Sequence, residues 1–74
     1  MNYTLYTAEN CHQCADVIKF MNDNSIEFDM VNVDLTGRKP PVIIYAFPAL
    51  FLNEDLLAYG TDIKNYFNKK SHSA

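Results

Sequence analysis

The two cysteines of this 74-residue chain, Cys11 and Cys14, form a Cys-His-Gln-Cys motif between a short apolar strand and a helix. A cysteine in the first turn of a helix lies near free backbone N–H groups and the positive end of the helix dipole, and both favour a thiolate over a thiol. A second thiol three residues later lies one helical turn away, which is close enough for a disulfide. The spacing therefore predicts a dithiol that cycles between reduced and oxidised forms.

Three other interpretations of the cysteine pair compete with this one. As a structural crosslink, so short a loop gives only ~2 kcal/mol in the chain-entropy model. A structural zinc site needs four ligands, and only His12 and His72 remain beside the cysteines. A zinc ion or iron–sulfur cluster shared between two chains stays open as a minor alternative. Inert core cysteines are disfavoured, because His12 and Gln13 between the two cysteines indicate a solvent-facing turn.

Composition and charge limit the class of protein. Seventy-four residues allow one domain, and a 49% apolar content with five Phe and five Tyr is typical of a compact core. The net charge of −3 argues against a nucleic-acid binder, which needs a basic surface. The apolar run 42–52 is too short to cross a membrane and is broken by Pro48. No basic leader precedes the first strand, so we expect no signal peptide and a reducing cytoplasm, where a CxxC pair is more often catalytic than structural.

The elements expected to position the motif alternate between strands and helices. They are a strand over Met1–Thr7, a helix over Ala15–Asn22 with Asn10 as its N-cap, a strand over Ile26–Asp34, a short helix over Pro41–Ala46, hairpin strands over Ala49–Leu52 and Leu56–Tyr59, and a last helix over Asp62–Asn68. The strand over 26–34 is apolar on both faces, which predicts a position inside a sheet with helices packed on it. The order β-α-β-α-β-β-α predicts an α/β fold with a four-stranded mixed sheet and three flanking helices. Residues 1–69 then form a single domain, and 70–74 form a flexible tail.

This order of elements, with CxxC opening the first helix, resembles the thioredoxin fold in its smallest, glutaredoxin-like form. The resemblance runs from about residue 1 to Phe67 and is most specific over Tyr3–Thr7, Cys11–Cys14 and Phe28–Asp34. These segments are similar to the NrdH-redoxins, glutaredoxin-like proteins that donate electrons to ribonucleotide reductase and are recharged by thioredoxin reductase. Their typical Cys-x-Gln-Cys motif fits Gln13. The resemblance implies a thiol-disulfide oxidoreductase that reduces protein disulfides.

Position within the motif assigns a role to each sulfur. Cys11 is expected to be the nucleophile, because it lies nearest the helix end and is the more exposed, and Cys14 is expected to be the buried resolving thiol. His12 and Gln13 are candidate substrate contacts; His12, when protonated, either stabilises the thiolate or has no electrostatic role. Tyr6 either walls the site or packs in the core. No bound cofactor is expected beyond the redox-active Cys11–Cys14 disulfide, and the chain is expected to be a monomer.

A cis-proline opposite the CxxC motif is a second landmark of the family. The resemblance places it at Pro48, whereas the local sequence alone would favour an ordinary trans bond. A proline there donates no hydrogen bond, so the backbone of Phe47 stays free to pair with an extended peptide or tripeptide.

The second half of the chain departs from the NrdH pattern before its last helix. Gly60, Thr61 and Asp62 are instead similar to the loop with which glutaredoxins hold the γ-glutamyl end of glutathione; a plain helix cap is the alternative. Arg38 and Lys39 are candidate contacts for the glycine carboxylate of glutathione; simple solvation of both side chains is the alternative. The chain is acidic overall and has few cations near its cysteines, so we expect thioredoxin reductase as the electron source. A glutathione-dependent glutaredoxin, with glutathione as co-substrate, is the alternative.

Overall fold

The computed structural model describes the backbone of residues 2–72 and the side chains of residues 2–69. Its elements are β1 (Tyr3–Thr7), α1 (His12–Asp23), β2 (Asp29–Asn32), α2 (Val33–Thr36), β3 (Ala49–Leu52), β4 (Asp55–Tyr59) and α3 (Asp62–His72). The element order and the α/β class are those predicted from the sequence.

The four strands form one mixed sheet in the order β2-β1-β3-β4. β1 lies parallel to β2 and antiparallel to β3, and β3 and β4 form the predicted hairpin, with Asn53 at φ 56° in its turn. In the parallel pair, Thr7 lies opposite Asn32, so the carboxyl ends of β1 and β2 lie side by side at one end of the sheet. The chain leaves β1 at this end and enters the CxxC motif.

Two apolar clusters lie on opposite faces of the sheet, because successive strand residues point to opposite sides. The first cluster lies on one face, where Leu5 and Leu50 pack with Val17 and Met21 of α1 and Ile63 of α3. The other cluster contains four buried residues, Tyr6, Val31, Ala49 and Phe51, and is partly covered by Ile44 and Phe47. α1 and α3 therefore support one face of the sheet, and the segment between β2 and β3 covers the other.

The second helix lies elsewhere than predicted. Residues 41–46, where a helix was expected, have irregular structure, and α2 is instead a single turn directly after β2. Asn32 caps this turn: its Oδ1 accepts the N–H groups of Asp34 and Leu35 at 3.0 and 3.2 Å, and Gly37 ends the turn with φ 69°. The predicted segment is poor in helix-forming residues because its Val42-Ile43-Ile44 run is β-branched.

β2 is shorter than predicted and forms an edge of the sheet. Only Asp29–Asn32 of the expected 26–34 strand is paired, and β1 is its single neighbour. Met30 is 55% exposed whereas Val31 is buried, so this strand is covered on one face and not on both. The prediction of a strand buried inside the sheet was wrong. Ile26 and Phe28, which made the predicted strand apolar, lie in the connection between α1 and β2 and pack against the first cluster from there.

The last helix is longer than predicted. α3 runs to His72, whereas the sequence predicted an end at Asn68 and a flexible tail over 70–74. Residues 70–72 are helical, and 73 and 74 lie outside the described residues. Tyr66 and Phe67, both half-buried, join α3 to the first cluster, and the Phe67 ring meets the ring of Tyr3 edge-on at 5.3 Å.

Candidate active site

Cys11 is the N-cap residue of α1. Its backbone is extended (φ −108°, ψ 102°), and its Sγ accepts a hydrogen bond from the backbone N–H of Cys14 at 3.1 Å. The sequence predicted Asn10 as the cap, and this was wrong: Asn10 adopts a left-handed conformation (φ 56°) that turns the loop into the helix. The Cys11 sulfur takes the place of the side-chain oxygen of an ordinary cap. The Cys11 sulfur therefore lies at the start of the helix, where the backbone N–H groups are free.

The two cysteines differ in their access to solvent. Their Sγ atoms are joined in a disulfide and their Cα atoms lie 5.2 Å apart. Cys14 is only 3% exposed, whereas Cys11 is half-buried. His12 and Gln13 between them are exposed, which confirms the predicted solvent-facing turn. Cys11 is therefore the more accessible of the two cysteines.

The loop that precedes Cys11 is tied to the end of β2. The backbone N–H of Glu9 donates to Oδ2 of Asp34 at 2.9 Å. Asp34 belongs to α2, whose cap Asn32 lies beside the end of β1. Asp34 was not among the site residues predicted from the sequence. The signal that would have found it is its place just after a parallel strand, at the edge of the sheet where ligand sites of α/β proteins form.

Gln13 lies against the turn between β4 and α3. A Cβ on Gly60 would come 2.8 Å from Oε1 of Gln13, which is closer than real Cβ contacts. The N–H of Gly60 donates to the carbonyl of Pro48 at 2.8 Å. Pro48 is fully buried, and the Phe47–Pro48 bond is cis, as the resemblance implied. The structure thus brings three of the predicted site residues together: Gln13, Pro48 and Gly60.

The other aromatic and loop candidates lie in different surroundings. Tyr6 is 7% exposed and its ring meets the ring of Phe51 edge-on at 5.1 Å, so Tyr6 packs in the core. Phe47 is half-buried against the same cluster. Thr61 and Asp62 are exposed at the start of α3. Contact of these residues with a substrate stays a prediction.

Positive charge lies in the segment after α2. Arg38 and Lys39 are both exposed there, and the backbone N–H of Arg38 donates to Oγ1 of Thr36 at 3.1 Å. In the loop before Cys11 the charged side chain is the exposed Glu9, an anion. Within the part of the chain that the structure describes, no three His, Cys, Asp or Glu side chains cluster to hold a metal ion. Over those same residues, no helix has the length and apolarity needed to cross a membrane.

Known proteins resemble this chain in both sequence and fold. The glutaredoxin family model matches residues 3–57. The glutaredoxin-like protein NrdH of Salmonella typhimurium (strain LT2) is 49% identical over 35 residues, which cover 47% of this chain and 43% of that protein, so the match spans less than half of either. The crystal structure of the thioredoxin-like protein BC3987 matches with a TM-score of 0.69 over 88% of this chain and 96% of the other, at 18% identity, and shows a shared fold. Because the family match runs from β1 into β4 and includes Cys11 and Cys14, this chain belongs to the glutaredoxin family.

Proposed function

We propose that this chain is a dithiol redoxin that reduces the disulfides of other proteins through Cys11 and Cys14. The observation that carries the proposal is the place of the Cys11 sulfur, which accepts the N–H of Cys14 at the start of α1 and stays partly exposed. A thiolate at this point is stabilised by a backbone donor and by the helix dipole, and it remains accessible. Cys14, buried one helical turn away, is within disulfide reach of it.

The reaction has two sulfur exchanges. The Cys11 thiolate attacks one sulfur of the target disulfide, forms a mixed disulfide and releases the first target thiolate, which takes a proton from water. Cys14 loses its proton to solvent and attacks the sulfur of Cys11, which breaks the mixed disulfide and releases the second target thiol. Two electrons pass to the target, and the Cys11–Cys14 disulfide remains. A reductant that supplies two electrons and two protons then restores the dithiol.

We propose thioredoxin reductase, and not glutathione, as the electron source. Glutathione carries two carboxylates and one ammonium, so its groove needs cations near the reactive sulfur. The net charge is −3, Arg38 and Lys39 lie in the segment after α2, and Glu9 stands two residues before Cys11. Each missing charge-assisted hydrogen bond weakens binding by about 1.5–3 kcal/mol, which is tenfold or more.

The similarity to the NrdH protein of Salmonella supports the same electron source and makes ribonucleotide reductase the proposed target. We also propose that the protein is in the cytoplasm, because a CxxC dithiol stays reduced and available for catalysis in a reducing compartment. The proposed active form is a monomer.

A glutathione-dependent glutaredoxin is the second candidate, and the turn before α3 favours it. Gly60 and Thr61 form this turn, Asp62 begins α3, and Gln13 of the CxxC motif lies against Gly60. Backbone N–H groups at a helix start bind a carboxylate, and the carboxylate of Asp62 would receive an ammonium group. Both charged ends of a γ-glutamyl group would then be held beside the motif.

The two candidates are separated by following NADPH consumption with a protein disulfide as substrate. One reaction contains thioredoxin reductase, and the other contains glutathione with glutathione reductase. We expect turnover in the first reaction, none with Cys11→Ser, and less than about a tenth of the rate in the second. Rapid glutathione-dependent turnover that is lost in Asp62→Ala but kept in the control Asp55→Ala would replace the first candidate by the second. No turnover in either reaction would refute both.

A further inference from the structure

We propose that Asp34 is a positioning residue for the Cys11 thiolate. Its carboxylate holds the loop that brings Cys11 to the start of α1. The starting observation is the 2.9 Å hydrogen bond from the N–H of Glu9 to Oδ2 of Asp34, which joins residues 25 positions apart. The inference rests on the dithiol chemistry proposed above, but it does not depend on which reductant recharges the disulfide.

The carboxylate is fixed from its own side of this bond. Asn32 ends β2 opposite Thr7, and its Oδ1 accepts the N–H groups of Asp34 and Leu35. The hydroxyl of Thr36 donates to the carbonyl of Asn32 at 2.9 Å, which closes the turn. The sheet and the capped turn thus place the Asp34 carboxylate beside the loop that leaves β1.

On the other side of the bond, the loop leads directly into the reactive cysteine. Thr7 is buried at the end of β1, Asn10 has a left-handed backbone, and Cys11 is extended. The course of the chain at Glu9 therefore sets where the Cys11 sulfur lies relative to the N–H of Cys14. A loop released from Asp34 lets the sulfur leave this N–H, and the thiolate loses a donor and part of the effect of the helix dipole.

Asp34 has two opposite effects on the thiolate, and two variants separate them. The negative charge of its carboxylate disfavours a nearby thiolate, whereas its hydrogen bond to the loop favours one. Asp34→Asn removes the charge and keeps an oxygen that can accept the N–H of Glu9. Asp34→Ala removes both the charge and the acceptor. The difference between the two variants therefore reports the acceptor alone.

The experiment uses the reduced protein in a Cys14→Ser background, where Cys11 is the one remaining thiol. It titrates the thiolate by its ultraviolet absorbance and measures the alkylation rate of Cys11 by iodoacetamide at a series of pH values that spans the titration midpoint. We expect the midpoint to be higher in Asp34→Ala than in Asp34→Asn by up to about one pH unit, and alkylation at a pH below both midpoints to be slower by up to about tenfold. The control Asp29→Ala removes a carboxylate from the other end of β2 and should match the parent protein.

Equal alkylation rates and equal midpoints in the two Asp34 variants would overturn the inference. A slower alkylation rate in Asp34→Ala that is accounted for by a lower melting temperature would also overturn the inference, because the effect would then be general unfolding. A parent thiol that ionises like a free cysteine would overturn the proposed function together with this inference. Equal variants in a parent protein with an activated thiol would overturn this inference alone.

Discussion

Replacing Gly60 by alanine should destabilise the protein through its backbone and not through its close side-chain neighbour. Gly60 has φ 52°, in the left-handed region where a residue with a Cβ costs ~1–2 kcal/mol. The new Cβ would also lie 2.8 Å from Oε1 of Gln13. That atom is the end of an exposed and flexible side chain, so a change to another staggered rotamer relieves the contact and adds little to the backbone cost. We expect the free energy of unfolding to fall by about 1–2 kcal/mol, and Tm to fall by roughly 4–8 °C per kcal/mol.

Gly37 provides the matched control, because its φ is 69° and a Cβ there meets nothing within 4 Å. Urea unfolding of Gly37→Ala should show the same backbone cost, so the two variants should agree within about 0.5 kcal/mol. Adding Gln13→Ala to Gly60→Ala should recover less than about 0.5 kcal/mol, the limit of ordinary additivity. A much larger loss in Gly60→Ala that Gln13→Ala restores would refute this reasoning, because the contact would then outweigh the backbone. Wild-type stability in both glycine variants would refute the backbone cost.

Two further substitutions test the roles of a sulfur and of a core ring. Cys14→Ser should trap a mixed disulfide between Cys11 and its target, because the resolving thiol is absent; mass spectrometry of the non-reduced sample detects the adduct, and faster alkylation of Cys14 than of Cys11 in the wild type would reverse the assignment. Phe51→Ala empties a fully buried site in the cluster around Tyr6 and should lower the free energy of unfolding by about 3–5 kcal/mol. A loss below about 1 kcal/mol in urea unfolding would contradict that role of the ring.

The elements that could be predicted from the sequence are those in which local patterns agree. Val17 and Met21 recur at helical spacing, and both are fully buried in α1. The hairpin was predictable because turn-forming residues around Asn53 separate two apolar runs, and Asn53 takes the left-handed backbone that such a turn requires. In each of these elements the periodicity and the residues that end it indicate the same structure.

The prediction failed at the end of β2, where the apolar alternation and the capping residues indicate different structures. Val31 and Val33 continue a strand-like apolar alternation, and this alternation extended the predicted strand across the start of α2. The capping residues gave the opposite signal: Asn32 accepts the first N–H groups of the turn, and Gly37 ends it in the left-handed region. In a turn of four residues the caps make up a large share of the hydrogen bonds, so they outweigh the apolar alternation.

The reactive cysteines could be predicted from spacing, but the contacts that hold them could not. The bond between Glu9 and Asp34, and the approach of Gln13 to Gly60, each join distant parts of the chain. The first depends on the register of β1 against β2, which no local pattern of residues sets. The motif could be predicted from the sequence because its residues are neighbours in the chain. The contacts that hold it in place could not, because they join residues that only the folded sheet brings together.

In the CxxC motif, the backbone stabilises the Cys11 sulfur, whereas the side chains of His12 and Gln13 form the exposed surface. The group that donates to the Cys11 sulfur is the backbone N–H of Cys14, and this donor and the α1 dipole are present whichever side chains occupy positions 12 and 13. His12 and Gln13 are exposed, and Gln13 reaches Gly60 at the turn before α3. A substitution at either position changes the surface that a partner meets and leaves the N–H donor in place. The CxxC helix can therefore keep the proposed thiol chemistry while the residues around it change the surface that a reductant meets.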